Sequence, residues 1–257
     1  EPDTIQDVER IDQRCPDRGQ THRPRGSALS PNAIAFADGM ISMANLDQIL
    51  EIDTNSKTVT VQAGARCQQV VDALRRHNLT LPNLASIAEQ QMGGLVQVGA
   101  HGTGKAIAPL DHYVTKLKIV TPSQGTIELT KNDDDDELFE FAKVGLGCLG
   151  IVVEITMECI PAHYLREQTM VLTRQEAQDK LDELLRDHKH MRYMWIPYTD
   201  AVVCVTNDPV DTNKRSEKRE FSEAERFQPL TDLLMKVTHD FPEPFTAESV
   251  KGMGFGE

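Results

Sequence analysis

Two stretches of the chain place residues in an order that could do chemistry on a nucleotide. "VGAHGTGKAIA" sets four residues between Gly99 and Gly104 and follows with Lys105, the spacing of a phosphate-cradling P-loop. "GLGCLG", opening at Gly145 and closing at Gly150, spells G-x-G-x-x-G, the letters of a dinucleotide-binding turn. Each fails its test of context. A P-loop needs Ser or Thr after the lysine to ligate magnesium, whereas Ala106 stands there and Pro109 falls where the helix should begin. A dinucleotide turn needs a strand before the glycines and a helix after, so that the helix N-terminus meets the pyrophosphate. Here a helical segment around Phe139 comes first and the β-branched run from Ile151 follows.

The elements around these glycines read as a mixed α and β chain. A short polar helix spans residues 5–14, and strands follow in "AIAF", "MISMANLDQILEID" and "TVTVQAG". Cys67, Val70, Val71 and Leu74 recur at i, i+3, i+4 and i+7, an apolar helix stripe that Asn78 ends. "VTKLKIVT" and "TIELT" flank the turn "PSQG" as a hairpin. "DDDDELFEFAKV" is a helix with an acidic start; Asp133 to Asp136 suit capping, with calcium as the alternative, although the ligand pattern of an EF-hand is absent. Beyond Pro161 a strand "EQTMVL", a helix "RQEAQDKLDELLRDH" and a hairpin "MRYMWIPYTDAVVCVTN" begin a second unit.

Composition narrows the function classes. A net charge of −13 with no basic stripe argues against a nucleic-acid partner. No apolar run is long enough to span a bilayer. The five cysteines include no C-x-x-C pair, which fits neither a disulfide framework nor a zinc site but does fit a reducing compartment; no metal ligand set is expected. The first residue is Glu1, consistent with a removed targeting peptide or a trimmed N-terminus.

Three glycine-bearing loops remain: "RPRGSALSPN", "GGLVQVGAHGTG" and "GLGCLG". Spacing alone leaves two readings open, ordinary turns or backbone amides in close approach to an anion. Taken together, and with "TVTVQAGARCQQVVDAL", "LTLPNLASIAEQQMGG", "VTPSQGTIELT" and "IPYTDAVV", the segments resemble the vanillyl-alcohol-oxidase type of FAD-binding protein. More narrowly they resemble the aldonolactone oxidoreductases, in their plant galactonolactone dehydrogenase branch, over about residues 20–209.

The resemblance implies an α+β fold: a PCMH-type FAD-binding domain of two α+β subdomains over residues 1–160, then the beginning of an α+β cap domain over 161–257. It implies one nucleotide, FAD, held by several loops. Arg25, Gly26, Ser27, Ala28, Leu29 and Ser30 would carry the pyrophosphate on their backbone. Asn83, Ser86, Ile87, Gly93 and Gly94 would run along the flavin. Gly99, His101, Gly102 and Gly104 would lie at the cofactor, and Gly150, Ile151 and Val152 would line its adenine side. Leu29 stands where some relatives attach FAD through a histidine, so binding would be non-covalent. Ala85 stands where oxidases of the family tend to have glycine, and its methyl group would shield the flavin from dioxygen. His101 reads either as a catalytic base or as a residue that orders backbone at the flavin edge.

The same resemblance implies an aldonolactone substrate, oxidised towards ascorbate, with cytochrome c as electron acceptor. It also implies a mitochondrial, inner-membrane-associated location. Two departures set a second reading beside it. Ala28 replaces a family glycine, as does Ala33, and nothing from Asp211 onward matches the family's cap, which would be lost or supplied by a second chain. The alternative is a structural or assembly subunit of respiratory complex I derived from such an enzyme. Catalysis by this chain alone is not expected on either reading.

Overall fold

The computed structural model describes residues 1–13, 22–30, 32–33, 36–37, 39–131 and 136–210. Cys15, the strand reading of "AIAF" at its central residues, Asp133–135 of the acidic run and everything from residue 211 lie outside the described residues.

By contacts the chain divides into two compact units. The first comprises Glu1–Gly102 and Ile107–Ala162; the second takes Thr103–Ala106 together with the chain from His163 onward.

The first unit begins with α1 (Ile5–Gln13), started by a reciprocal cap. Thr4 Oγ1 accepts from the Asp7 amide at 3.1 Å while Asp7 Oδ2 accepts from the Thr4 amide at 3.0 Å. Two short strands, β1 (His22–Arg25) and β2 (Gly39–Ser42), pair in parallel. Then come β3 (Ile49–Asp53), β4 (Thr58–Gln62), α2 (Cys67–Arg75), β5 (Leu79–Thr80) and α3 (Met92–Gln97). A 3₁₀ turn over Leu110–Tyr113 leads into β6 (Val114–Thr121) and β7 (Gly125–Thr130), followed by α4 (Asp136–Lys143), β8 (Ile151–Glu158) and β9 (Ile160–Pro161). The main sheet is antiparallel with strand order β3-β4-β8-β6-β7, and β5 pairs with β9.

Alternation along β8 explains its central place. Val153, Ile155 and Met157 are buried in one core with Val59 and Val61 of β4, Leu117 and Ile119 of β6, and the apolar stripes of α2, α3 and α4. The intervening residues pair across strands on the other side: Thr60 with Thr156 at 3.0 Å and Lys118 with Glu154 at 2.5 Å.

The second unit, as described, is a three-stranded antiparallel sheet in the order β10 (Leu165–Thr173), β12 (Ala201–Pro209), β11 (His190–Trp195). Helices α5 (Arg174–Asp179) and α6 (Leu181–Asp187) pack Ala177 and Leu184 with Leu172, Val202 and Cys204. The sequence reads these two helices as one. They divide at Lys180, where ψ is −3° and the amide is shared between the Glu176 and Gln178 carbonyls.

Candidate functional site

The three glycine-bearing segments gather about α3, which itself contains Gly93 and Gly94, and side chains of the first unit knot them together. The first loop, continuing from β1 through Gly26 to Ser30, is fastened by Ser27, whose hydroxyl donates to the Glu89 carbonyl at 2.7 Å. Beside it, a Cβ on Gly26 would sit 3.1 Å from Gln91 Oε1. Ala28 has φ +53°, the left-handed region in which an L side chain is strained.

The second loop turns on Asn83, which is buried. Its Oδ1 accepts from the amides of Leu84 at 3.0 Å and Gly102 at 3.1 Å, and its Nδ2 donates to the Ala108 carbonyl at 3.0 Å. The Asn83 side chain is thus spent on backbone. Gly102 fits because it lacks a Cβ, which would lie 2.2 Å from Leu84 O. Ala85 is half-buried against the core, whereas Ser86 and Ile87 are exposed. Gly93 packs its Cα face on Ala63, the residue after β4, and Gly94 faces open space. His101 is exposed and its Nδ1 lies 2.9 Å from Gly102 O; a carbonyl only accepts, so Nδ1–H donates, and the contact the structure gives this ring is to backbone.

Gln97, at the end of α3, reaches the third loop. Its Nε2 donates to Ala142 O at 2.6 Å and its Oε1 accepts from the Gly147 amide at 3.0 Å. Gly150, at φ +145°, leaves no room for a side chain, since a Cβ would meet Val120 O at 2.4 Å. Ile151 and Val152 bury their side chains in the core, so only their backbone can face a ligand. The order α4, glycines, β8 matches the sequence reading that excluded a dinucleotide turn.

Gln97 and the pair Gln90 and Gln91 had no local signal in the sequence; they matter because of what the fold brings to them. Gln91 is buried, and its Oε1, like that of Gln90, has no hydrogen-bond partner among the described residues. Two buried acceptors without donors sit beside the first loop, with Leu29, Leu84 and Ile87 exposed on the same two loops. A ligand that donates hydroxyl hydrogens and covers apolar surface would satisfy both features. FAD, with its ribityl hydroxyls and flat ring system, fits this lining.

Among the described residues no group of three or more His, Cys, Asp or Glu could hold a metal ion, and no helix is long and apolar enough to cross a membrane.

Comparison with known proteins agrees with this arrangement. The family model described as FAD binding domain matches residues 1–130, and that of D-arabinono-1,4-lactone oxidase matches 155–251, which corrects the expectation that nothing from Asp211 onward matches the family. The chain is 45% identical to the mitochondrial L-galactono-1,4-lactone dehydrogenase of Brassica oleracea over 91% of its own length and 39% of that protein. It is 51% identical to mitochondrial L-galactono-1,4-lactone dehydrogenase 1 of Oryza sativa subsp. japonica over 73% of its length and 32% of that protein. The chain therefore spans about two-fifths or less of the length of these relatives. A cholesterol oxidase from Brevibacterium sterolicum superposes with a TM-score of 0.71 at 20% identity, covering 93% of this chain and 50% of the oxidase, a likeness of fold. With loops of this construction and matches along nearly all of its length, the chain belongs to the FAD-binding family, in its aldonolactone oxidoreductase branch.

Proposed function

We infer that this chain is the flavin-holding part of an FAD-dependent aldonolactone dehydrogenase of galactonolactone type, acting in mitochondria with cytochrome c as electron acceptor. The observation that carries this reading is the knotting of three glycine loops through Ser27, Asn83 and Gln97 beside the two unmet acceptors of Gln90 and Gln91. FAD, when bound, supplies an acceptor for the hydride of a lactone. The chain's own residues hold and shield it. Backbone amides from Arg25 to Ser30 meet the pyrophosphate, with the Arg25 side chain lending positive charge to an otherwise acidic chain. Leu29 offers only carbon, so the cofactor stays non-covalent. Ser86, Ile87, Gly93 and Gly94 line the flavin, Gly99, Gly102 and Gly104 approach it by backbone, and Gly150 to Val152 form the adenine side. The Ala85 methyl group keeps dioxygen from the flavin, and His101 orders the loop edge through Gly102.

Ala28 favours a second reading. Its strained φ weakens the grip on phosphate, as expected of a chain kept as a structural subunit of respiratory complex I at the inner membrane. Titration of the purified 257-residue chain with FAD, followed by flavin fluorescence, separates the two. Saturable binding, with all flavin released on acid denaturation, supports the non-covalent flavoprotein. Absence of binding at any attainable FAD concentration removes it and leaves the structural subunit.

A further inference from the structure

Gly104, one of the expected cofactor contacts, lies in the four-residue segment Thr103–Ala106 that belongs with the second unit. Among the described residues no backbone–backbone hydrogen bond ties this segment to another part of the chain; it forms a local turn at Lys105–Ala106, and Gly104, at φ +124°, has no side chain with which to fix itself. What does hold it is an imidazole far along the chain. His190, the first residue of β11, places Nδ1 2.7 Å from the Thr103 carbonyl oxygen and 3.2 Å from Thr103 Oγ1. The carbonyl only accepts, so Nδ1 bears the proton and the neutral ring's acceptor is Nε2.

The ring is well supported. His190 sits in register opposite Asn207 of β12. Just before it, His188 Nδ1 meets Asp208 Oδ2 at 2.6 Å, and Asp208 Oδ1 accepts from the Lys189 amide at 2.8 Å. The start of β11 is thereby pinned to the end of β12, and the His190 side chain projects from fixed backbone.

Resting on the flavin reading above, we propose that His190 is a positioning residue for the cofactor: by donating to the Thr103 carbonyl it sets the path of Gly104. The Thr103 hydroxyl, at the longer distance, is secondary. His190 touches neither cofactor nor substrate in this role; it acts through the backbone of the segment it holds.

The test uses the whole chain. His190→Ala and His190→Leu both remove the donor, the second while keeping bulk on the strand. His190→Asn restores an N–H close to the position of Nδ1, and Thr103→Val deletes only the hydroxyl. Loss of one neutral hydrogen bond corresponds to about a five-fold rise in the Kd for FAD for Ala and Leu, with Asn and Val within about two-fold of native. Melting temperature without FAD should barely move, which a merely structural role would not allow. A second readout needs no flavin: trypsin cleavage after exposed Lys105 should quicken about five-fold in the Ala and Leu variants and return to the native rate in Asn. Equal cleavage of native, Ala and Leu chains overturns the proposal whether or not FAD binds. Altered cleavage with unchanged FAD affinity overturns the cofactor role. Altered cleavage in the variants, together with no FAD uptake by the native chain, overturns the flavin reading and the cofactor role with it, leaving His190 as the anchor of the segment.

Discussion

Asn83 Oδ1 accepts from the Gly102 amide at 3.1 Å, joining two loops that are 19 residues apart in sequence. The same oxygen takes the Leu84 amide, and the amide nitrogen of the side chain is occupied by Ala108 O. One buried carboxamide therefore satisfies three backbone groups that have no place in a helix or sheet.

Asn83→Ala leaves two amides and a carbonyl without their partner at a partly buried junction of loops. We expect a loss of about 2–4 kcal/mol, read as a lowered midpoint of denaturant unfolding. Asn83→Asp keeps the two accepted bonds but sets an oxygen against Ala108 O, and should fall between native and Ala. An unchanged midpoint for Ala would show that the loops are held by other means.

Ala28→Gly removes a Cβ from a backbone at φ +53°. Relief of the left-handed strain should stabilise the chain by about 1 kcal/mol. An amide freed to turn toward phosphate should tighten FAD about ten-fold or more, since ~1.4 kcal/mol is a factor of ten. Equal melting and equal FAD affinity in the two chains would show that the strain is absorbed by the loop and would deprive the structural-subunit reading of its support.

On the flavin reading proposed above, Ala85→Gly would open space beside the cofactor that the methyl group would otherwise fill. In the reduced, FAD-loaded protein, reoxidation by air should accelerate while reduction of cytochrome c by the complete enzyme changes little. The same air rate before and after the change would remove Ala85 as the barrier.

The cysteines divide by burial. Cys148 is exposed, whereas burial pushes the Cys67 and Cys204 thiols upward and carries Cys159 to about 11. Alkylation of the native chain near pH ~8 should modify Cys148 and spare Cys67, Cys159 and Cys204, as resolved by peptide mass. The folded state holds the Cys159 proton more tightly than the unfolded chain, whose ordinary value is 9.0. Its contribution to stability is therefore complete below about 9 and lost as pH climbs towards about 11. Alkylation of Cys159 as fast as Cys148 would contradict its burial.

Local patterning made part of this architecture legible. The spacing of Cys67, Val70 and Leu74 marks the buried side of α2, and two β-branched runs around a Gly turn give the β6–β7 hairpin. The order of helix, glycines and strand was enough to set aside a dinucleotide turn. What sequence could not reveal depends on partners distant in the chain. Gln97, Gln91 and His190 are unremarkable residues in their own neighbourhoods, and their roles come from Gly147, Gly26 and Thr103 respectively. The division of one helical stripe at Lys180 was equally silent, because the residues on either side continue the same pattern. The strain at Ala28 was legible only as a glycine missing from a family loop; its sign follows from the backbone angle.

The second unit owns Thr103–Ala106, a segment that the ribosome makes well before His163 and the strands that follow. During synthesis those four residues leave the exit tunnel with their hydrogen-bond partner, His190, still untranslated. The first unit can reach its full set of strands with this segment unclaimed, and the segment settles only once β11 exists to receive it. No single cut of the polypeptide separates the two units intact, since severing after Ala162 strands Thr103–Ala106 with the wrong partner. Expression of either half alone would therefore produce a unit with a piece missing or a piece to spare.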